Sequence, residues 1–266
     1  MLYLGYLALI GLLSLLSENS LRVLEIHIGI ACFILLVAAL DKKSSFARFL
    51  HDCYPVLMFI FCFEEIARYS LSIVPHWQDS WLIHLERTWF GRSPNLWMSS
   101  FASPFWSEVM DIGYFSYYAM FMIAGGKLYT WENKQAFYEL TLSTVFTYFL
   151  AYLIYLLFPT EGPHHTMAAL DKVPHGAMFN SMVRLIQHHA GVHGNAFPSG
   201  HVASAFVSTF FAWRYLPRLG LVLTPFFILI CISSIYDNYH YLSDVIGGMV
   251  IAVLGIMVTW SLFEGY

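Results

Sequence analysis

Two short segments carry residue types able to hold an anion and to do nucleophilic and proton-transfer chemistry beside it. The first is Phe197-Pro198-Ser199-Gly200-His201. Pro and Ser suit a helix start, where a serine caps free backbone N–H groups. A helix N-terminus built from small residues such as Ser199 and Gly200 cradles an anion, and His201 then projects beside it. The second is Tyr239-His240-Tyr241-Leu242-Ser243-Asp244. His240 and Asp244 are four apart, so on a helix they share a face. A carboxylate that accepts from one ring nitrogen fixes the tautomer and leaves the other nitrogen free to attack. Each segment also has a plainer explanation: an interfacial histidine at a helix start, and a structural His–Asp pair that ties two helices together.

The elements that must position these residues are membrane helices. Of 266 residues, 58% are apolar and 11% charged, against roughly 45–50% and about 25% in soluble globular chains. So little ionic surface excludes a cytosolic enzyme or a disordered chain. Lys+Arg 13 against Asp+Glu 17 gives a net charge of -4, which supplies no field for nucleic acid. A helix needs about 20 mostly apolar residues to cross the hydrocarbon core. Residues 53–74, 105–126, 137–158, 197–216, 220–238 and 242–263 meet that demand, and 2–16 and 21–40 meet it more weakly. The expectation is an all-α, polytopic transmembrane helical bundle with six spans plus one or two weaker N-terminal ones. It forms a single domain over 1–266, with 1–52 as accessory helices and 105–263 as catalytic core. Segment 2–16 lacks the cationic start and small-residue cleavage site of a signal peptide. Cys32, Cys53, Cys62 and Cys231 lie in or beside apolar runs and read as small buried hydrophobes.

Alternation of the spans gathers the chemistry. Span 197–216 starts on the face where 220–238 ends and 242–263 begins, so His201, His240 and Asp244 fall at one depth. The segment Phe158-Pro159-Thr160-Glu161-Gly162-Pro163-His164-His165 leaves its helix at the same face. The short loops of the opposite face hold Lys42, Lys43, Arg48, Lys127, Lys134, Arg214 and Arg218. By the positive-inside rule that face is cytoplasmic, and the histidine-bearing face is extracytoplasmic. Residues 75–104 carry Trp77, Trp81, Trp89 and Trp97 among scattered charges, a composition suited to the lipid–water interface.

The Pro-Ser-Gly-His element followed by His-x-x-x-Asp across the next hairpin resembles the type 2 phosphatidic acid phosphatase superfamily. Phe90-Gly91-Arg92-Ser93-Pro94-Asn95-Leu96-Trp97 and the Pro-Thr-x-x-Pro at 159–163 are similar to the branch that contains inositol phosphorylceramide synthases. The resemblance implies that His240 is the nucleophile, Asp244 orients it, and His201 serves as acid and then base. It implies no metal and no cofactor. Its substrate is a membrane phospholipid or another lipid phosphate, with water or an alcohol or lipid acceptor receiving the phosphoryl group. Ser199, Gly200, His164 and His165 are the expected phosphate-binding residues. Glu108, Asp111 and Arg184 are candidates for the acceptor or head group. Many members of the superfamily place an arginine six residues before the nucleophile, where this chain has Ser234. A pocket without arginine forks suits a phosphodiester monoanion better than a terminal phosphate dianion.

Other signals have structural explanations. Glu64 and Arg68 could pair inside the bundle, Glu108 and Asp111 could cap a helix start, and Tyr114, Tyr117 and Tyr118 read as interfacial packing. His188, His189 and His193 could share a metal. Asp237, three before His240, competes with Asp244 as the orienting carboxylate. The alternative to an enzyme is a non-catalytic protein that binds or transports a lipid phosphate on the same scaffold.

Overall fold

A computed structural model describes residues 2–14, 20–130, 133–167, 178–179, 181–182 and 194–263. They pack as two units, Met1–Tyr69 and Ser70–Tyr266. Apart from one isolated parallel bridge, Thr160 with Asn195, the described secondary structure is helical.

The N-terminal unit holds α1 (Leu2–Ser14), α2 (Ser20–Leu40) and α3 (Ser45–Ala67). The expected span at 53–74 begins earlier, because Ser44 caps the helix by accepting the Ala47 N–H at 3.4 Å. Apolar contact is supplemented by polar ties between the helices. Tyr3 donates to the Pro55 carbonyl at 2.7 Å and Tyr6 to that of Cys62 at 3.1 Å. His27 Nε2 meets Glu65 Oε1 at 2.6 Å while its Nδ1 lies 3.0 Å from the Leu7 carbonyl. The buried carboxylate of α3 is thus Glu65. Glu64 and Arg68 are both exposed, and among the described residues no ion pair joins them.

The larger unit holds α4 (Asp79–Phe90), α5 (Pro94–Ser99), α6 (Pro104–Thr130), α7 (Lys134–Leu157), α8 (Pro163–Thr166), α9 (Gly200–Tyr215), α10 (Pro217–Tyr236) and α11 (Leu242–Phe263). Residues 75–104, read from sequence as an interfacial connection, therefore contain two short helices. Helix α9 is central and packs against α6, α7, α10 and α11. Its buried residues include six small ones, Gly200, Ala203, Ser204, Ala205, Ser208 and Ala212, beside Val202, Val207, Thr209 and Phe211. Small residues let helix backbones approach closely where lipid supplies no hydrophobic drive between helices. Five described helices, α2, α3, α7, α10 and α11, are long and apolar enough to cross a membrane. The expected six is approximate. Helix α9 has 16 residues, and the 27 residues of α6 include Glu108, Asp111 and Lys127.

Candidate active site

Three backbone turns at one end of the larger unit meet around two histidines. Thr160 begins the assembly. Its carbonyl accepts the Ala196 N–H at 3.2 Å, and its hydroxyl accepts the Phe197 N–H at 2.8 Å. This ties the 159–165 turn to the segment entering α9. Gly162 sits there at φ +94°, a conformation that suits glycine, and a Cβ would lie 3.0 Å from the Tyr239 carbonyl. The Tyr155 hydroxyl holds the Pro198 carbonyl at 2.9 Å. Ser199 is fully buried and caps α9, its hydroxyl accepting the Val202 N–H at 3.3 Å. Its own N–H donates to the Asp244 carbonyl at 2.9 Å, which locks the two motifs together. Gly248 permits this approach, since a Cβ there would stand 2.5 Å from the Ser199 carbonyl oxygen.

His240 lies between α10 and α11 and is buried. Its N–H donates to the Ser234 carbonyl at 2.9 Å. Ring nitrogen Nδ1 lies 3.0 Å from the Ala196 carbonyl and 3.4 Å from Asp244 Oδ2. A carbonyl oxygen can only accept, so the proton sits on Nδ1 and the lone pair on Nε2. Among the described residues no hydrogen bond engages Nε2. Asp244 Oδ2 also accepts the Tyr241 N–H at 2.8 Å. The sequence pointed to Asp244 as the orienting group. The nearer acceptor is a backbone oxygen that no side-chain motif could display. Burial pushes the His240 imidazole down to about 4, against the opposing pull of the Ala196 carbonyl, so it is neutral near pH 7.

The His201 ring faces that of His240 at a centroid separation of 5.8 Å and an interplanar angle of 57°. Its Nε2 lies 3.2 Å from the Tyr114 hydroxyl. The ring of Tyr117 stands edge-on to it at 4.5 Å, and the Tyr117 and Tyr148 hydroxyls are 2.6 Å apart. Tyr239 stacks on Tyr114 at 4.5 Å. These tyrosines wall the site rather than merely filling the interface. Their spacing on α6 brings Tyr114 and Tyr117 one turn apart on the face toward α9, a stripe the sequence displays.

The remaining expected residues divide. Gly200 opens α9 beside the Tyr148 and Tyr155 rings. His164 and His165 have exposed rings 5.3 Å apart, and the His164 N–H donates to the Asn238 carbonyl at 3.0 Å. Glu108 accepts the backbone N–H groups of Met178 and Phe179 at 3.1 and 2.9 Å. Asp111 is buried close to Asp237, and burial together with Asp111 pushes the Asp237 carboxyl well above the usual range. Ser234, where the resemblance leads one to expect arginine, is fully buried, and its hydroxyl donates to the Ile230 carbonyl at 2.7 Å. Arg184, with His175, His188, His189 and His193, lies outside the described residues. Among the described residues no three His, Cys, Asp or Glu side chains converge into a metal-holding group.

The hydrogen-bond and ring partners of both histidines are tyrosine, backbone carbonyl and carboxylate. A guest would meet the unengaged His240 Nε2, the His201 imidazole, phenol hydroxyls and the N-terminus of α9. That set can displace a leaving group at phosphorus and manage the protons.

Comparison with known proteins bears on the family. A PA-phosphatase related-family protein of Dictyostelium discoideum is 31% identical over 120 residues, which are 43% of this chain and 22% of that protein. The chain therefore aligns with under a quarter of that relative's length. No solved structure matches the chain. The PAP2 superfamily matches residues 80–258, a stretch that contains both histidines, Asp244 and the helices that gather them. With more than half of its length matched, this chain belongs to the PAP2 superfamily.

Proposed function

We propose that the protein is an integral membrane lipid phosphatase or phosphotransferase that works through a phosphohistidine at its extracytoplasmic face. One observation carries this reading. The Nδ1 proton of His240 is directed at Ala196 and Asp244, which leaves Nε2 as a lone-pair nucleophile opposite His201. In the first step an Nε2–P bond forms while the bond from phosphorus to the leaving oxygen breaks, and His201 delivers a proton to that oxygen. In the second, His201 takes the proton from water or an alcohol. The new oxygen bonds to phosphorus as the Nε2–P bond breaks. Asp244 holds the imidazole orientation throughout.

Among the described residues no arginine or lysine engages either histidine, which favours a phosphodiester monoanion over a monoester dianion, because arginine forks are the usual answer to the second charge. Transfer of a phospho-head group to a lipid or sugar alcohol follows from that preference, in the manner of the inositol phosphorylceramide synthase-like branch. The extracytoplasmic assignment rests on position. His201 begins α9, whereas Arg214 sits in its last turn, on the face where short loops concentrate lysine and arginine.

The test is direct. Purified protein in liposomes receives phosphatidate or phosphatidylinositol, each labelled at phosphorus, with and without long-chain alcohols. The expected result is turnover of the diester, with label moving to the alcohol when one is present. Binding of both lipids without release of any labelled product identifies a carrier and overturns the reading.

A further inference from the structure

The two helices inside the tryptophan-rich stretch have an inner face as well as an aromatic outer one. Three polar side chains point inward from them and are almost completely buried: Asp79 at 3% exposure, Glu86 at 1% and Asn95 at 0%. Burying such groups costs free energy unless each finds hydrogen bonds. Each finds them, Asp79 through both oxygens and Glu86 and Asn95 through Oε1 and Nδ2 while Glu86 Oε2 and Asn95 Oδ1 have no partner among the described residues, and the partners belong to the turns that carry the site. Asn95 Nδ2 donates to the His240 carbonyl at 3.0 Å and to the Ile235 carbonyl at 2.9 Å, and lies 3.4 Å from Asn238 Oδ1. Two facing carbonyls require a donor, so the amide orientation is fixed by its surroundings. Glu86 Oε1 accepts both the N–H of Ser243 at 2.8 Å and its hydroxyl at 3.0 Å, which caps α11 one residue before Asp244. Asp79 accepts the N–H groups of Glu161 and Gly162 at 2.9 and 2.8 Å and the Tyr241 hydroxyl at 3.1 Å.

We infer that α4 and α5 form a positioning clamp: Asn95 and Glu86 hold the backbone on the two sides of His240, Asp79 holds the Tyr241 hydroxyl and the neighbouring 161–162 turn, and together they aim Nε2 at phosphorus.

This inference rests on the proposed role of His240 as nucleophile. The geometry explains why the turn needs outside help. Asn238 adopts a left-handed conformation at φ +63°, and residues 237–241 lie between two helices. The His240 carbonyl precedes α11, and Asn95 supplies a donor to it from 145 positions earlier in the chain. Main-chain anchoring of this kind sets the direction of the ring without touching the substrate. A small displacement of a reacting group costs rate far more than binding. The three residues are therefore positioning residues, and their signature is in kcat rather than KM.

The experiment compares variants in liposomes on whichever of labelled phosphatidate or phosphatidylinositol the wild-type protein turns over faster. Asn95→Leu keeps the volume and removes the donor. Asn95→Asp keeps the shape and sets an acceptor against two carbonyls. Both are expected to lower kcat about tenfold to a hundredfold while KM changes little, in protein that elutes and unfolds thermally as a single species. Glu86→Leu is expected to behave likewise. Glu86→Gln keeps the Oε1 acceptor, and burial already pushes the Glu86 carboxyl upward. It is therefore expected to restore most of the rate. If Asn95→Leu does not fold, the smaller Asn95→Ser, whose hydroxyl is too short to span the same carbonyls, carries the comparison. Wild-type kcat in folded Asn95 variants, or equal losses in Glu86→Gln and Glu86→Leu, overturns the clamp. His240→Ala, run alongside, separates the two claims. Activity surviving in it refutes the nucleophile itself, whereas an inactive His240→Ala beside fully active Asn95 variants refutes the clamp alone.

Discussion

The two ends of the bundle formed by α7, α9 and α11 hold polar clusters of opposite character. At the end where Arg214 lies, the groups complete one another. The Arg214 guanidinium lies 4.2 Å over the Trp260 ring, and its Nε donates to the Tyr215 hydroxyl at 3.1 Å. Tyr215 donates to Glu139 Oε2 at 2.5 Å, and Gln135 donates to Glu139 Oε1 at 3.1 Å. Opposite charges, an aromatic face and an amide form one chain of mutual contacts, with every polar group named here engaged by the next. At the other end two imidazoles are gathered among tyrosines and carboxylates, and one nitrogen is left with a lone pair. The difference teaches how to separate structure from chemistry in a polar cluster of a membrane protein. A cluster that is complete by itself stabilises helix packing. One that buries titratable groups and leaves a ring nitrogen unengaged is, on the proposed reading, open to a guest.

Substitution at the two ends is expected to have unequal effects. His240→Ala removes the attacking nitrogen and is expected to lower turnover of labelled lipid by roughly 10³-fold or more. His201→Ala, which removes the proton carrier, is expected to cost about 10²-fold to 10⁴-fold. Steady-state assays in liposomes check both, and wild-type rates in either would erase the contrast. A pH profile sharpens it. Burial lowers the His240 pKa to about 4, so the neutral, attacking form persists as pH falls below the usual imidazole value of about 6.5. The acid limb of kcat/KM in the wild-type protein is expected near pH 4. A limb near 6.5 would mean a solvated ring. Tyr114→Phe, which leaves ring packing intact and removes the hydroxyl at His201 Nε2, is expected to lower kcat about fivefold to tenfold, the worth of one hydrogen bond. The smallest effect belongs to the other end. Tyr215→Phe is expected to leave kcat unchanged and to lower stability by about 1 kcal/mol, read from thermal unfolding in detergent.

How far the sequence revealed this arrangement depended on what held each part. His201, His240 and Asp244 stand in two compact motifs, and alternation of apolar spans alone brings them to one depth. Helix positions followed from apolar length, with α3 starting early because a serine cap outweighed the polar residues around His51 and Asp52. The Ala196 carbonyl was invisible, since backbone acceptors carry no residue type and this one lies 44 positions from His240. Asp79, Glu86 and Asn95 were hidden differently. Tryptophans dominate residues 75–104 and read as an interface, and the outer faces of these helices do expose Trp81, Trp89 and Trp97. Yet Asp79, Leu82 and Glu86, the buried residues of α4, are spaced at three and four positions, one stripe of a helix. Two acids on an inward stripe were the available signal. Glu108, read as a head-group ligand or a cap, holds the backbone of Met178 and Phe179, a contact across 70 positions that spacing could not foretell.

The central claim is that phosphorus becomes bonded to His240. It is tested most directly by rapid quench of the wild-type protein with phosphorus-labelled substrate, under alkaline conditions that preserve phosphoramidates, followed by peptide mapping. The account predicts label on the peptide containing His240, formed before product release and absent in His240→Ala. Label on another residue, or product released with no labelled protein at any time, would contradict it.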